Sequence, residues 1–228
     1  MSPQRLEIKN GELLIDKVAA QELADKFGTP LYVLSETKIR ENYQRLREAL
    51  TRNYQKVRIH YAAKANTSLS VLRIVKSEGA YIDSVSPGEV SLALQAGFSP
   101  EKILFTGTSV TDEELSFLIE SNVTINVDSL SQLCRLLGIA TPRTLSVRIN
   151  PEVGAGHHVH NITAGKDSKF GLWETDAAKA YETAKKAGVK KFGLHMHIGS
   201  GILTVEPFVL ALSKLLETAK KVPYTLTP

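Results

Sequence analysis

The chain has 228 residues, 43% of them hydrophobic and 23% charged, which is enough apolar material for a sizeable core and excludes a disordered or fibrous protein. The 28 Lys and Arg residues against 24 Asp and Glu residues give a net charge of +4, spread without a basic run. This pattern predicts no nucleic-acid or membrane-surface binding, and it is compatible with a small anionic ligand.

The cysteine content and the first residues indicate the compartment. The single Cys134 excludes an intramolecular disulfide and a cysteine-based zinc site, and we expect it to be a small buried hydrophobe. Arg5, Glu7 and Lys9 interrupt the start, so no signal-peptide core is expected there, and no apolar run approaches the ~18 residues of a membrane-spanning helix. We therefore expect a cytoplasmic protein.

Short apolar runs rich in β-branched residues predict strands, and segments with helical spacing lie between them. The predicted strands are 58–62, 81–85, 103–106, 124–128, 145–150 and 192–198. The predicted helices are 17–27, 36–50, 68–78, 88–97, 112–121, 129–137, 175–187 and 205–221. Two further apolar runs, 13–15 and 31–34, precede this alternating pattern.

The spacing of the strands points to a barrel. Strand centres near 60, 83, 105, 126 and 147 are 21 to 23 residues apart, the length of one βα unit. Such regularity favours a TIM-type (β/α)8 barrel over an open sheet. About six units are present, so the predicted barrel is incomplete, and the polar stretch 151–169 is expected to form a long loop over one face.

Charged residues close to the carboxyl ends of the first two strands are candidates for the site. Lys64 follows the first strand by two residues, where Ala and Tyr neighbours would desolvate it and lower its pKa, as a Schiff-base nucleophile requires. A lone lysine is more often a solvated surface residue. Asp83 and Glu89 lie six residues apart at the second strand end, and Glu89 alone would be explained as a favourable charge at a helix N-terminus.

Histidines and an arginine add three further candidates. His195 and His197 are two residues apart and would share one face of the sixth strand, followed by a turn at Gly199 and Gly201 that lets backbone approach a ligand. A metal site would need further ligands in a fitting pattern, so we predict no metal. Arg148 lies in an apolar run and requires a buried anionic partner, or else acts as a phosphate or carboxylate clamp.

A second histidine cluster lies in the predicted long loop. Its members are His157, His158 and His160, which are flanked by glycines. A solvated role is the simpler interpretation, and no function is assigned to these side chains.

Six motifs together carry a resemblance to a known family. They are Gly-Thr-Pro-Leu-Tyr-Val at 28–33, Tyr-Ala-Ala-Lys-Ala-Asn at 61–66, Asp83 with Ser-Pro-Gly-Glu at 86–89, Arg-Ile-Asn-Pro at 148–151, Ser-Lys-Phe-Gly at 168–171 and His-Ile-Gly-Ser at 197–200. From residue 11 to about 221, the chain resembles the pyridoxal-phosphate-dependent decarboxylases of the alanine-racemase-like barrel type, most closely the diaminopimelate decarboxylases. Alanine racemases would carry a different run after the lysine.

The resemblance implies a cofactor, a reaction and a role for each candidate. Lys64 would form the Schiff base with pyridoxal 5′-phosphate, and His197 would stack on its ring. Because the glycine turn lies beside the second imidazole, we predict that His195 packs or supports the site without facing the cofactor. Asp83, Glu89 and Arg148 would support these two residues. The side chain of Ser200 would reach the phosphate. The implied reaction converts meso-diaminopimelate to L-lysine and carbon dioxide.

The resemblance also implies parts that this sequence does not contain. Family members continue with two more strands, a Gly-rich phosphate loop and a β-domain that completes the site across a homodimer. We therefore predict that residues 1–35 pair with that β-domain and that 36–228 form an incomplete cofactor-binding barrel. Runs 13–15 and 31–34 would then lack partners, and the chain alone is expected to be poorly soluble and without appreciable decarboxylase activity.

Three alternatives remain open at this point. The chain could be a non-catalytic, truncated homologue with weak cofactor binding. It could belong to a decarboxylase for ornithine or a related basic amino acid. A Schiff-base aldolase with the same barrel is the third, although it has no need of a stacking histidine such as His197.

Overall fold

The computed structural model describes residues 6–153 and 168–222, which form two compact units. The first unit is built from the chain up to Ile59 together with Ser68–Ala80. The second is built from His60–Thr67 and the chain from Tyr81 onward. The histidine cluster at 157–160 lies outside the described residues.

The first unit begins with a small antiparallel sheet. Its three strands, in spatial order, are β1 (Leu6–Lys9), β2 (Glu12–Ile15) and β3 (Val18–Ala19), followed by helix α1 (Ala20–Phe27). Asn10 and Gly11 join β1 to β2 with φ angles of 52° and 82°, the left-handed values that a two-residue hairpin turn requires.

This sheet corrects one expectation about the N-terminal runs. Run 13–15 belongs to β2, which pairs with β1 on one side and β3 on the other, so it does not lack partners. The sequence interpretation missed the hairpin because β1 is short and fully exposed. Run 31–34 lies outside regular structure, with Tyr32 98% exposed. Pairing of residues 1–35 with a second domain remains a prediction.

Two helices complete the first unit, α2 (Glu36–Thr51) and α3 (Leu69–Ser77). The hydroxyl of Ser35 accepts a hydrogen bond from the backbone N–H of Lys38, which caps α2 at its predicted start. Arg40 of α2 forms an ion pair at 2.6 Å with Glu78, the residue after α3. This contact ties the two helices together.

The second unit is a parallel sheet of six strands whose spatial order follows the chain order. The strands are β4 (His60–Ala62), β5 (Tyr81–Ser84), β6 (Ile103–Phe105), β7 (Thr124–Val127), β8 (Thr144–Arg148) and β9 (Lys191–His195). All six predicted strands are confirmed, as is the α/β class. Consecutive parallel neighbours are the arrangement of the first six units of a (β/α)8 barrel.

Helices follow the strands from β5 onward in the described chain. They are α4 (Pro87–Gln95), α5 (Asp112–Glu120), α6 (Leu130–Ile139), α7 (Glu174–Lys186) and α8 (Glu206–Lys221), with short 3-10 turns at Ala63–Ala65 and Pro100–Lys102. The hydroxyls of Ser86, Thr111 and Ser129 cap α4, α5 and α6 by accepting a backbone N–H three residues on. The N-cap residues thus set where these helices begin.

The two faces of the six-stranded sheet differ in chemistry. Residues such as Ile82, Phe105 and Val127 are buried on one face, which we call the apolar face. The alternate positions form the polar face, whose members include Asp83, Thr106, Asn126, Asp128, Ser146, Arg148 and His195. Tyr181 of α7 contacts the ring of Phe192 edge-on, so this helix lies against the apolar face. The polar face is where ligand chemistry is to be sought.

Two further observations concern the surface and the compartment. Cys134 of α6 is exposed, contrary to expectation, because Leu133 and Leu136 take the buried side of that helix. Among the described residues, no helix combines the length and the apolar composition that crossing a membrane requires.

Candidate active site

The site begins with Lys64, in the 3-10 turn that follows β4. Ala63, the first residue of this turn, is fully buried. Lys64 is exposed, which corrects the prediction of a desolvated lysine. The hydroxyl of Tyr61 donates to the carbonyl of Asn66 at 3.2 Å and spans the turn that carries Lys64.

Asp83 lies on the polar face of β5, and its carboxylate is held from the next strand. The hydroxyl of Thr106 donates to Asp83 Oδ1 at 2.6 Å, and the backbone N–H of Thr106 donates to the carbonyl of Ser84. The second bond continues the sheet one residue beyond β6. A short hydrogen bond of this kind fixes the orientation of the carboxylate.

Arg148 has the buried anionic partner that the sequence required, and this partner is Asp128 at the end of β7. Arg148 Nη1 lies 3.2 Å from Asp128 Oδ1, with both side chains about nine-tenths buried. Burial raises the pKa of the Asp128 carboxyl, an effect that the positive charge of Arg148 opposes. The guanidinium also lies 4.8 Å from the ring centre of Phe170.

The two histidines occupy different environments. β9 ends at His195, so His197 lies in the loop beyond the strand, and the prediction that both share one strand face is wrong. Burial, followed by the charge of Arg148, lowers the pKa of His195 to about 3. Its Nδ1 is buried without a hydrogen-bond partner among the described residues.

His197 connects the candidate residues of four different segments. Burial is the main cause that lowers its pKa, and the positive charges of Arg148 and Lys64 lower it further, whereas Asp83 opposes them. These three charged groups are therefore near enough to act on one imidazole. The charges of Lys64, Asp83 and Arg148 thus all act on His197, and the net effect favours its neutral form.

The turn after His197 has the backbone that glycine permits. Gly199 and Gly201 have φ angles of 143° and 68°, in the region that other residues rarely adopt. Ser200, between them, is exposed. The structure thus leaves the hydroxyl of Ser200 accessible for a ligand.

The side chain of Glu89 accepts a hydrogen bond from the backbone. Its carboxylate accepts the N–H of Val85 at 2.8 Å, while its own N–H donates to Ser86 Oγ. Gln132 holds the N–H of Asp128 in the same way at the start of α6. These contacts agree with the interpretation of Glu89 as a favourable residue at a helix N-terminus. A role for Glu89 toward the cofactor remains a prediction.

Asp128 and Thr106 are the residues that the sequence interpretation missed. Thr106 and Asp128 are the last residues of the predicted strands 103–106 and 124–128, so a search for polar residues at every strand end would have found them. Within the described ranges, no group of three or more His, Cys, Asp or Glu side chains is arranged to hold a metal ion.

A parallel α/β sheet whose strands follow the chain order, with charged groups at their carboxyl ends, is the arrangement found at the ligand-binding end of (β/α)8 barrels. Residues 36–225 match the pyridoxal binding domain of the pyridoxal-dependent decarboxylases, and the chain belongs to this family. The cofactor of the matched domain is pyridoxal.

Individual relatives agree with this assignment. The diaminopimelate decarboxylase of Methanothermobacter thermautotrophicus is 53% identical over 213 residues, which are 93% of this chain and 50% of the relative. That of Aquifex aeolicus is 38% identical over 216 residues, 92% of this chain and 50% of the relative. The chain spans about half the length of these curated relatives.

A solved structure gives the same result at the level of the fold. Diaminopimelate decarboxylase from M. jannaschii, in complex with L-lysine, superimposes with a TM-score of 0.87 at 35% identity. The alignment covers 98% of this chain and 55% of that one. The incomplete barrel is thus the first part of a known decarboxylase fold.

The residues present fit pyridoxal phosphate. An exposed primary amine at Lys64 is available to its aldehyde, and the neutral imidazole of His197 is suited to packing on its aromatic ring. The turn at 199–201 offers backbone and a hydroxyl for its phosphate. Lys64, His197 and the turn at 199–201 thus offer one partner each for the aldehyde, the ring and the phosphate of the cofactor.

Proposed function

We propose that this chain is the cofactor-binding part of a decarboxylase that converts meso-diaminopimelate to L-lysine and carbon dioxide. The observation that carries the proposal is the position of Lys64, Asp83 and Arg148 at the carboxyl ends of β4, β5 and β8, where all three charges act on His197. The substrate is suggested by the relatives, which are diaminopimelate decarboxylases.

Each residue has a role that its environment supports. Lys64 would hold the cofactor covalently through its exposed amine. His197 would lie against the ring, where its lowered pKa keeps the imidazole neutral. When bound, pyridoxal phosphate supplies an electron sink for the pair left behind as carbon dioxide departs.

The charged residues that act on His197 would orient Lys64 and His197. Asp83, with its carboxylate fixed by Thr106, would direct the lysine amine or the ring face, and Ser200 would contribute to phosphate binding. Arg148 provides a positive charge whose position is set by Asp128. A homodimeric, cytoplasmic protein is part of the same proposal, to be tested by sedimentation and by fractionation.

The experiment is a spectral titration of the chain with pyridoxal phosphate, followed by removal of excess cofactor. We expect a near-visible absorbance band that Lys64→Ala loses and Lys102→Ala retains. Adding meso-diaminopimelate should change this band more strongly than adding ornithine. No retained band would overturn cofactor binding, and a stronger response to ornithine would overturn the substrate assignment.

The reaction itself is tested by carbon dioxide release. The chain would be co-expressed with the half of the M. thermautotrophicus relative that the present sequence does not match. We expect release from meso-diaminopimelate that Lys64→Ala abolishes. A soluble, cofactor-loaded complex that releases carbon dioxide only from ornithine would contradict the proposal.

A further inference from the structure

Asp128 is a buried carboxylate with a fixed backbone. It is 9% exposed and directly follows β7 on the polar face of the sheet. Its backbone N–H donates to Gln132 Oε1 at 2.8 Å, a bond that ties the end of β7 to the first turn of α6. The carboxylate therefore projects from a rigid point between two elements.

One oxygen of this carboxylate receives two donors from different parts of the chain. Arg148 Nη1 of β8 and the backbone N–H of Gly171 each lie 3.2 Å from Asp128 Oδ1. The ring of Phe170, next to Gly171, lies under the guanidinium at 4.8 Å. Asp128 thus links Arg148 to the segment that contains Phe170 and Gly171.

This segment has a fixed place on β8. Leu172 donates its N–H to the carbonyl of Arg148 and accepts the N–H of Asn150. Gly171 has a φ of 80°, and a Cβ there would lie 2.9 Å from the backbone carbon of Ile149, so only glycine fits this close approach. Arg148 is held by a carboxylate on one side and an aromatic ring on another.

We propose that Asp128 is a positioning residue that holds the Arg148 guanidinium in place at the end of β8, in register with His195 of β9, for binding the anionic cofactor. The identity of the ligand rests on the proposed function. A buried arginine without its partner would leave this position to satisfy its charge elsewhere, because an unpaired buried charge is costly. Asp128 acts through Arg148 and touches neither cofactor nor substrate in this scheme.

The test is a double-mutant cycle read as affinity for pyridoxal phosphate. Asp128→Asn keeps the shape of the side chain but removes its charge, and we expect it to weaken binding by about tenfold. Asp128→Glu should restore part of the loss. In an Arg148→Met background, Asp128→Asn should change the affinity less than about twofold, because the residue it positions is gone.

A second readout does not depend on the cofactor. Hydrogen exchange of the Gly171 amide in the cofactor-free chain should become faster in Asp128→Ala than in the wild type. If Asp128→Asn fails to fold, the Asp128→Asn, Arg148→Met double variant removes both charges and, compared with Arg148→Met alone, still shows whether Asp128 affects cofactor affinity without the arginine.

The outcomes separate this inference from the proposed function. If the wild-type chain binds no pyridoxal phosphate, the proposed function fails, and exchange at Gly171 still reports on the Asp128 contact. Unchanged affinity in Asp128→Asn beside a binding wild type would overturn the positioning role. An equal loss in the presence and absence of Arg148 would also overturn it, because Asp128 would then act independently.

Discussion

At the scale of single residues, the polar face of the sheet places a neutral imidazole next to a buried cation. His195 pairs in register with Arg148 across β8 and β9. Burial is the largest cause that lowers its pKa from 6.5 to about 3. The imidazole therefore stays uncharged throughout the physiological pH range.

The shifted pKa of His195 predicts a pH dependence of stability. Below its ordinary pKa the unfolded chain binds a proton at this residue, but the folded chain does not until the pH approaches 3. The unfolded state binds more protons in that interval, so stability should fall as the pH falls from 7 to 5, by up to about 1 kcal/mol per unit. Urea unfolding at the two pH values measures this.

His195→Gln is the matched control, because glutamine is polar but does not titrate. The difference in stability between pH 7 and pH 5 should shrink in this variant, while the shifted pKa of His197 keeps a part of it. An undiminished difference would show that His195 is protonated in the folded chain.

Asn126 leads to a second prediction at this scale. It is fully buried on the polar face, and both amide atoms lack a hydrogen-bond partner among the described residues. Replacing an unpaired buried amide by an apolar group of similar size should raise stability, here by about 1 kcal/mol for Asn126→Leu. Thermal unfolding measures the change. A lower melting temperature would mean that a bound water or ligand pairs with the amide.

At the scale of elements, the βα units repeat one way of starting a helix. In α4 and α6 a serine caps the helix, and the side chain three residues later accepts a backbone N–H from before the cap. Glu89 makes this contact in one unit and the uncharged Gln132 in the other. The charge of Glu89 is therefore not needed for capping.

This equivalence predicts how Glu89 variants behave. Glu89→Gln should unfold within about 0.5 kcal/mol of the wild type, whereas Glu89→Ala should lose about 1 kcal/mol with the contact to Val85. Chemical denaturation measures both. Cofactor affinity of Glu89→Gln adds a separate test, because a clear loss at unchanged stability would show that the charge also serves the cofactor, as the resemblance implies.

The elements were predictable where local signals agreed. Apolar runs located all six strands of the parallel sheet, and helical spacing located the helices between them. The sixth strand ends at His195, three residues before the predicted end, because the backbone leaves the sheet before the glycine turn at 199–201. Side-chain alternation therefore could not be extended to His197.

The partners within the site could not be predicted in the same way. Arg148 signalled that it needs an anion, but Asp128 lies 20 positions earlier in the chain, and only the pairing of β7 with β8 brings the two together. The exposure of Lys64 depends on which side of a 3-10 turn is buried. Both are consequences of tertiary structure and carry no short-range signal.

At the scale of the whole molecule, the last helix carries an exposed apolar row. Val205, Val209, Leu212 and Leu216 recur at helical spacing before and along α8 and are 47% to 68% exposed. A contiguous apolar surface of this kind favours association. We therefore attribute the expected poor solubility of the isolated chain to this exposed apolar row on α8.

Charge on this row should reduce self-association. We expect the Val209→Lys, Leu216→Lys double variant to sediment as smaller species and to stay in solution at higher concentration than the wild type. Glu217→Lys adds the same two units of positive charge at an exposed position on another side of the helix and should change little. Equal improvement by Glu217→Lys would indicate that net charge, not the apolar row, controls association.

Borohydride reduction followed by peptide mapping tests most directly whether Lys64 is the residue that holds pyridoxal phosphate. The chain would be incubated with cofactor, reduced and digested, with Lys64→Ala and Lys102→Ala treated in parallel. We predict that the label lies on the peptide containing Lys64, is absent from Lys64→Ala and is retained in Lys102→Ala. A label found mainly on Lys76, Lys102 or Lys169 would contradict the assignment of this site.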